Sequence, residues 1–194
     1  LSVHTGEGQL YEVDMRLRPH GKSGPIALPL ASIHKYYEDE AWTWEHLALT
    51  RARVVAGDAA LCEKTEKMLR EIALTKRDAE KIREDTLSMR ARVLKQHGSD
   101  NPLAIKHAKG GLMDLEFLCQ YLRLKYGPEH PDILHPNSMD SLKEMKAAGV
   151  LPEDTADRLT DILKLYLNIS GLKQLCLGGR KIDETIPLAL KNAL

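Results

Sequence analysis

The stretch GGLMDLEFLCQYLRLKYG, residues 110–127, decides the fold of this 194-residue chain. Between Leu112 and Leu124 apolar residues lie on nearly all sides of a helical wheel, so a helix here has no wide polar face for solvent. Such a helix is stable only when other elements cover it. We therefore expect a central, buried helix with further helices packed around it.

The segments on both sides of this stretch also carry apolar residues at helical spacing. The stripes before it are Ile33, Tyr36, Tyr37, Ala41 and Trp44, then Leu61, Thr65, Met68, Leu69 and Ile72, then Ile82, Met89 and Val93. Asp78 is expected to cap the third of these helices, and Asn137 or Ser138 to cap a later one. The last long helix is predicted to start near Pro152 and to end at Gly178–Gly179. The fold class is therefore mainly α, a bundle of about six or seven helices.

The overall charge argues against two classes of partner. Lysine plus arginine and aspartate plus glutamate both number 28, so the formal net charge is zero. Binding to nucleic acid or to an anionic membrane surface depends on excess cationic charge. The sequence thus predicts neither partner, and it contains no apolar run of membrane-spanning length.

The cysteines indicate the compartment. Cys62, Cys119 and Cys176 are few, odd in number and far apart, which disfavours a disulfide framework or a zinc ribbon. A reducing cytosol, and hence a cytoplasmic protein, is expected. The chain begins without methionine and with a predicted strand close to its start, so it is expected to be part of something longer.

That strand lies in YEVDMRLRPHGKSG, residues 11–24. Its apolar and charged residues alternate strictly: Tyr11, Val13, Met15 and Leu17 against Glu12, Asp14, Arg16 and Arg18. Alternation over eight residues predicts a β-strand with one buried face. Carboxylates two apart on one strand face can share Mg²⁺, and guanidiniums nearby can bind phosphate oxygens. The alternative is an edge strand whose exposed face forms a ladder of ion pairs, and spacing alone leaves both open.

Two further residue pairs have structural explanations. Asp114 and Glu116 lie about 200° apart around a helix, so they cannot share a metal ion from one face. They are expected to cap that helix or to tie it to a neighbouring charge. Trp42 and Trp44 are predicted to pack in the core or at a domain interface rather than to stack on a base.

Two other groups of polar residues are expected at the surface. HPDILH, residues 130–135, is predicted to be a surface loop and not a zinc site. Solvated helix faces are predicted for the arginines at positions 51, 53, 90 and 92. For the first two, contact with a nucleotide or a catalytic domain is the alternative.

Three stretches carry a family resemblance over essentially the whole chain. LYEVDMRLRPHGKSG (residues 10–24) and YYEDEAWTWEHLALTRARVVAGD (residues 36–58) closely resemble the glutamine synthetase adenylyltransferase family, bifunctional enzymes that add and remove adenylyl groups. The form EAWTWEH is similar to the C-terminal, adenylylating half of these proteins. KGGLMDLEFLCQYL (residues 109–122) resembles the signature of the helical domain that follows their nucleotidyltransferase fold, which PII uridylyltransferases also have.

The resemblance implies two domains. Residues 1–28 would be the C-terminal strand or strands of a polymerase-β-like nucleotidyltransferase domain, and residues 29–194 the helical domain. The implied reaction transfers AMP from ATP to a tyrosine hydroxyl of glutamine synthetase. In this superfamily two Mg²⁺ ions, held by three carboxylates, activate the attacking oxygen and stabilise the leaving pyrophosphate.

The resemblance also assigns site residues. Asp14 matches the third metal carboxylate and is the implied catalytic and metal-binding residue. The implied contacts to the nucleotide phosphates are Arg16, Arg18, Lys22 and Ser23. His20 departs from the family pattern, which has a smaller polar residue there.

The first two metal carboxylates of the family are absent from this sequence. The GGS…D-x-D segment that carries them does not occur, so the chain alone is expected to be inactive. The alternative function is a non-catalytic helical module that binds glutamine synthetase or the PII signalling protein. Titrating metal and ATP into a protein with the upstream strands restored separates the two.

Overall fold

The computed structural model describes residues 4–6, 8–9, 13–99 and 104–177, and this part of the chain is mainly helical, as predicted. It holds seven α-helices: α1 (Leu30–Asp39), α2 (Thr43–Leu49), α3 (Ala59–Leu74), α4 (Ala79–His97), α5 (Leu112–Tyr126), α6 (Ser138–Ala147) and α7 (Glu153–Leu177). Short 3₁₀ turns form at Gly21–Ser23 and Pro131–Ile133. None of the helices in the described ranges is long and apolar enough to cross a membrane.

Side-chain caps start several helices where the sequence predicts them. The carboxylate of Asp78 accepts hydrogen bonds from the first backbone N–H groups of α4, at 2.9 and 3.0 Å. Asn137 caps α6 by accepting from the N–H of Met139 at 2.8 Å. α7 begins at Glu153, directly after Pro152. The starts of α4 and α6 are confirmed because short side chains satisfy the free N–H groups locally, and α7 starts where Pro152 predicts it.

The prediction of one continuous stripe from Ile33 to Trp44 is wrong. α1 ends at Asp39 and α2 begins at Thr43, with Trp42 in an extended conformation between them. The Glu45 carboxylate accepts from the backbone N–H of Trp42 at 2.9 Å, which gives α2 its own capped start. The helical spacing of the apolar residues continues across the break, but the backbone leaves the helix between α1 and α2, and α2 begins with its own cap.

α5 is the central helix, as its all-round apolar pattern predicts. It packs against α2, α4, α6 and α7. Its residues enter two hydrophobic clusters: Leu115, Cys119 and Leu122 with Ile133, Leu142, Met145 and Leu163, and Leu124 with Leu47 and Ile82. A third cluster joins α3 to the end of α2 through Leu49, Met68 and Ile72.

One charged residue of α5 is also fully buried. Arg123 has no exposed surface, and burial lowers its pKa to about 10. Its Nε donates to the hydroxyl of Ser141 at 2.9 Å, and that hydroxyl donates to the carbonyl of Ile133 at 2.7 Å. Arg123 therefore ties α5 to α6 and to the turn before α6.

The predicted strand is not formed over residues 13–18, which are irregular and turn-like. Tyr11 and Glu12 lie outside the described residues. Two-residue strands, β1 (His4–Thr5) and β2 (Gly8–Gln9), pair antiparallel nearby. A strand needs a neighbour to satisfy its backbone groups, and the described residues give the segment at 13–18 none. Alternation predicts the side-chain pattern but cannot supply a partner strand.

Candidate functional site

The residues that the sequence assigns to a nucleotide site lie in the irregular segment before α1. Asp14 and Arg16 form a close ion pair there. The backbone N–H of Arg16 donates to Oδ1 of Asp14 at 3.0 Å, its Nε to both carboxylate oxygens at 2.9 Å, and its Nη2 to Oδ2 at 2.5 Å. These bonds hold the pKa of Asp14 at about 2, below the usual 3.8. Asp14 is therefore an ionised, solvent-exposed carboxylate near neutral pH.

Arg18 is used differently from Arg16. Its guanidinium donates to three backbone carbonyls: Nε to Gly24 at 3.1 Å, Nη1 to Met15 at 2.7 Å and Nη2 to Lys22 at 3.3 Å. It is half-buried, and it lies inside a ring of backbone rather than beside a carboxylate. Arg18 thus joins the two ends of the loop to each other.

Lys22 and Ser23 stand on the tip of this loop. Both are exposed, within the 3₁₀ turn Gly21–Ser23. His20, just before the turn, and Gly21, its first residue, have φ of 60° and 56°, a left-handed conformation that glycine adopts freely and histidine rarely. The chain therefore reverses sharply just before the two polar side chains that it presents to solvent.

His20 joins the loop to the helical bundle. Its ring meets the ring of Tyr36 edge-on, with centroids 4.8 Å apart, and its Nδ1 lies 3.9 Å from a carboxylate oxygen of Glu40. The hydroxyl of Tyr36 donates to Glu45 at 2.6 Å, and burial and this bond raise the pKa of Tyr36. The imidazole of His20 thus fills a contact with α1.

The two tryptophans differ in burial. Trp44 is half-buried, whereas the side chain of Trp42 is 72% exposed. The expectation of core packing is therefore wrong for Trp42 within the described bundle. Its packing at a domain interface stays a prediction. A cavity of about 520 Å³ opens beside it, bordered by Glu40, Lys81 and Asp85.

A buried histidine–arginine contact was not expected from the sequence. His46 of α2 is 7% exposed, and its Nδ1 lies 3.0 Å from Nη2 of Arg77. Because a guanidinium only donates, Nδ1 accepts and the imidazole is neutral. Burial and the Arg77 charge lower the pKa of His46 to about 4. Nothing in the spacing of two residues 31 positions apart could have revealed this contact.

The acids at the start of α5 tie this helix to neighbouring charges, which confirms that interpretation of Asp114 and Glu116. Asp114 accepts from Nε and Nη2 of Arg90 at 2.8 and 2.6 Å and from the N–H of Gly110 at 2.7 Å. Glu116 accepts from Arg51 at 2.6 Å. Arg51 and Arg90 are therefore paired across the bundle, and the prediction of simply solvated faces is wrong for them.

The described residues do not complete a magnesium site. Asp14 has the right chemistry for one hard oxygen ligand. No group of three or more histidine, cysteine, aspartate or glutamate side chains suited to a metal ion occurs in the described part of the chain. Any metal site that includes Asp14 needs further ligands from elsewhere.

Two family models match the chain. Residues 1–68 match the family described as glutamate–ammonia ligase adenylyltransferase. Residues 79–175 match the family described as GlnD PII-uridylyltransferase. The first match covers both the loop with Asp14 and the helices α1 and α2. The second covers the start of α4 to near the end of α7.

Curated relatives carry one name along nearly the whole chain. A protein of Rhodopseudomonas palustris named "Bifunctional glutamine synthetase adenylyltransferase/adenylyl-removing enzyme" is 40% identical over 95% of this chain. Proteins of the same name from Bradyrhizobium diazoefficiens and Thioalkalivibrio sulfidiphilus are 38% and 42% identical over 100% and 87% of it. The chain spans about a fifth of the length of these relatives, covering 18–19% of each.

Proposed function

The chain belongs to the glutamine synthetase adenylyltransferase family, and we propose that it supplies one edge of an adenylylating active site together with the helical domain behind it. The complete enzyme would transfer AMP from ATP to a tyrosine hydroxyl of glutamine synthetase, in the cytoplasm. This chain would come from the C-terminal, adenylylating half.

One observation carries the proposal. Three apolar side chains that alternate with the charged ones are exposed before α1: Val13, Met15 and Leu17. The described residues leave these three side chains 42–68% exposed, and exposing apolar surface costs free energy. A sheet of the longer protein would bury the row and also give the segment its missing hydrogen-bond partner. Residues 1–28 would thus be the last strand or strands of a nucleotidyltransferase domain, and residues 29–194 the domain that follows.

The polar side chains of the same segment would then face the reaction. Asp14 is ionised and exposed, so it is suited to be one of the carboxylates that hold Mg²⁺. The other carboxylates would come from residues outside this chain. Lys22 and Ser23 stand on the loop tip, where a cation and a hydroxyl suit the phosphates of ATP. Arg16 now pairs with Asp14 and is the nearest cation to that carboxylate.

The test is the substitution Asp14→Asn in the full-length enzyme, measured as the rate at which AMP is attached to purified glutamine synthetase. This change keeps the size of the side chain and removes its charge. We expect the rate to fall on the order of a hundredfold or more, because a site carboxylate stabilises charge in the transition state. The melting temperature should not change, since the Asp14–Arg16 pair is exposed. The adenylyl-removing activity should persist, because the resemblance assigns it to the other half.

Asp140→Asn is the matched control, because Asp140 is also an exposed acid beside a nitrogen-bearing side chain, with Nδ1 of His135 3.4 Å away. It should adenylylate at the normal rate. A normal rate for Asp14→Asn across a magnesium titration would reduce Asp14 to a surface ion-pair residue. Activity of the 194-residue chain alone would contradict the need for outside ligands. If the chain instead binds glutamine synthetase or the PII protein, and Asp14→Asn has no effect, the non-catalytic module is the better description.

A further inference from the structure

We propose that Arg18 is a positioning residue that holds the loop of residues 15–24 closed, and that it is not a ligand of the nucleotide phosphates. The inference rests on the proposed function for its catalytic consequence, but its structural part stands without it. The sequence pattern groups Arg18 with Arg16 as a phosphate ligand. The hydrogen bonds that the two guanidiniums donate indicate different roles for Arg16 and Arg18.

Three nitrogens of the Arg18 guanidinium donate hydrogen bonds within the loop. Nε, Nη1 and Nη2 donate to the carbonyls of Gly24, Met15 and Lys22. These carbonyls belong to the two ends of the loop and to its tip. A phosphate that bound the guanidinium through the same nitrogens would have to replace these bonds, and the loop would lose its central crosslink. Among the described residues, the Arg16 guanidinium instead donates its hydrogen bonds to Asp14 and to no carbonyl of the loop.

The loop backbone closes tightly around this crosslink. The N–H of Gly21 donates to the carbonyl of Arg18 at 2.8 Å, and the N–H of Gly24 to that of Gly21 at 3.3 Å. A Cβ on Gly24 would lie 2.1 Å from the carbonyl oxygen of Pro19, so the backbone approaches itself too closely for any larger residue. The side chain of Arg18 reaches across the mouth of this turn. It fixes the distance between the start of the loop, beside Asp14, and its tip, at Lys22.

The geometry of the side chain explains why arginine is needed at position 18. A planar guanidinium presents five N–H donors in a fixed fork and can serve three carbonyls in different directions. A lysine ammonium keeps the charge but is a single nitrogen at the end of a flexible stem. If Arg18 acts through its charge on phosphate, Arg18→Lys should retain much of the activity. If Arg18 acts through its geometry, lysine and glutamine should fail alike.

The structural experiment is tryptic cleavage of the full-length protein after Lys22, followed by mass spectrometry. Trypsin does not cleave before Pro19, so changes at position 18 neither add nor remove a site. We expect Arg18→Lys and Arg18→Gln to speed cleavage after Lys22 about tenfold or more, because opening the loop then breaks fewer hydrogen bonds. Arg16→Gln, which touches no loop carbonyl, should leave this rate unchanged. Equal cleavage rates in wild type and both Arg18 variants would overturn the proposal.

The kinetic experiment separates positioning from phosphate binding. In both Arg18 variants we expect kcat for adenylylation to fall about tenfold or more while KM for ATP stays within about threefold of wild type. Arg92→Gln, an exposed arginine of α4, is the control and should match wild type. A variant Arg18→Lys with near-normal kcat, or an Arg18→Gln whose main defect is a raised KM for ATP, would overturn the proposal. If Asp14→Asn is fully active, the proposed function fails, and the cleavage rates still decide the role of Arg18.

Discussion

Residues 13–28 and the helical bundle of residues 30–177 are held together in opposite ways. The bundle has a core: Ile133, Leu142 and Met145 have no exposed surface at all. The segment before it keeps its shape through hydrogen bonds around Arg18, while Leu17 and Ile26 are 68% and 73% exposed. The bundle thus has a buried apolar core within the described residues, and the segment that carries the proposed chemistry has none.

On the proposed function, residues 13–28 are the part of the chain that depends on the rest of a longer protein. Apolar burial supplies most of the free energy of folding, and the bundle has it within its own residues. The segment carries the polar groups of the proposed site, but none of its apolar side chains is buried. Its contacts with the bundle include the ring pair of His20 with Tyr36 and the approach of His20 to Glu40.

The largest effect is expected on the free energy of unfolding when a core side chain is shortened. Leu142→Ala should lower the free energy of unfolding by about 2–5 kcal/mol, because it leaves a cavity in the cluster around α5. Leu17→Ala is the matched control in the segment and should change it by less than about 0.5 kcal/mol. Urea unfolding of both variants of the 194-residue chain measures the two changes in the free energy of unfolding. Equal losses would mean that the segment packs as tightly as the bundle.

The features that could be predicted from the sequence lie mostly in the bundle, and those that could not lie mostly in the segment before it. The central helix and the caps at Asp78 and Asn137 could be predicted, because periodicity and capping depend on residues close in sequence. The strand at 13–18 could not be confirmed, because its stability depends on a neighbour that the described residues do not contain. The site could be predicted only as residue types from a family resemblance. The separate tasks of Arg16 and Arg18 depend on where backbone carbonyls lie in space.

A smaller effect tests the interior of the bundle through pH. The pKa of His46 is lowered from 6.5 to about 4 in the folded chain, so the unfolded chain binds the proton more readily. The stability that this provides is fully present above pH 6.5 and is lost as the pH falls towards 4, by about 3.4 kcal/mol at most. His46→Gln, which can still accept from Arg77, should remove this dependence. Unfolding measured at pH 7.5 and 5 compares the two proteins, and parallel losses in both would assign the effect to other groups.

The smallest effect concerns the tie between α4 and α5. Hydrogen bonds from Arg90 lower the pKa of Asp114, so its contribution is present above about pH 3.8 and is lost as the pH falls through the lower folded value. Asp114→Asn should cost about 1–2 kcal/mol at pH 7 and progressively less below pH 3.8. Thermal unfolding at both ends of this range checks it. A cost that does not change with pH would show that the carboxylate charge is not what stabilises the tie.

Amide hydrogen exchange of residues 13–18, compared between the 194-residue chain and the full-length protein, shows whether a sheet of the longer protein completes this segment. We expect fast exchange of these amides in the chain alone and strong protection in the full-length protein, where a sheet supplies their partners. The amides of α5 should be protected in both and serve as the internal reference. Equal exchange of residues 13–18 in the two proteins, fast or slow, would contradict the claim that this segment is completed by the rest of the enzyme.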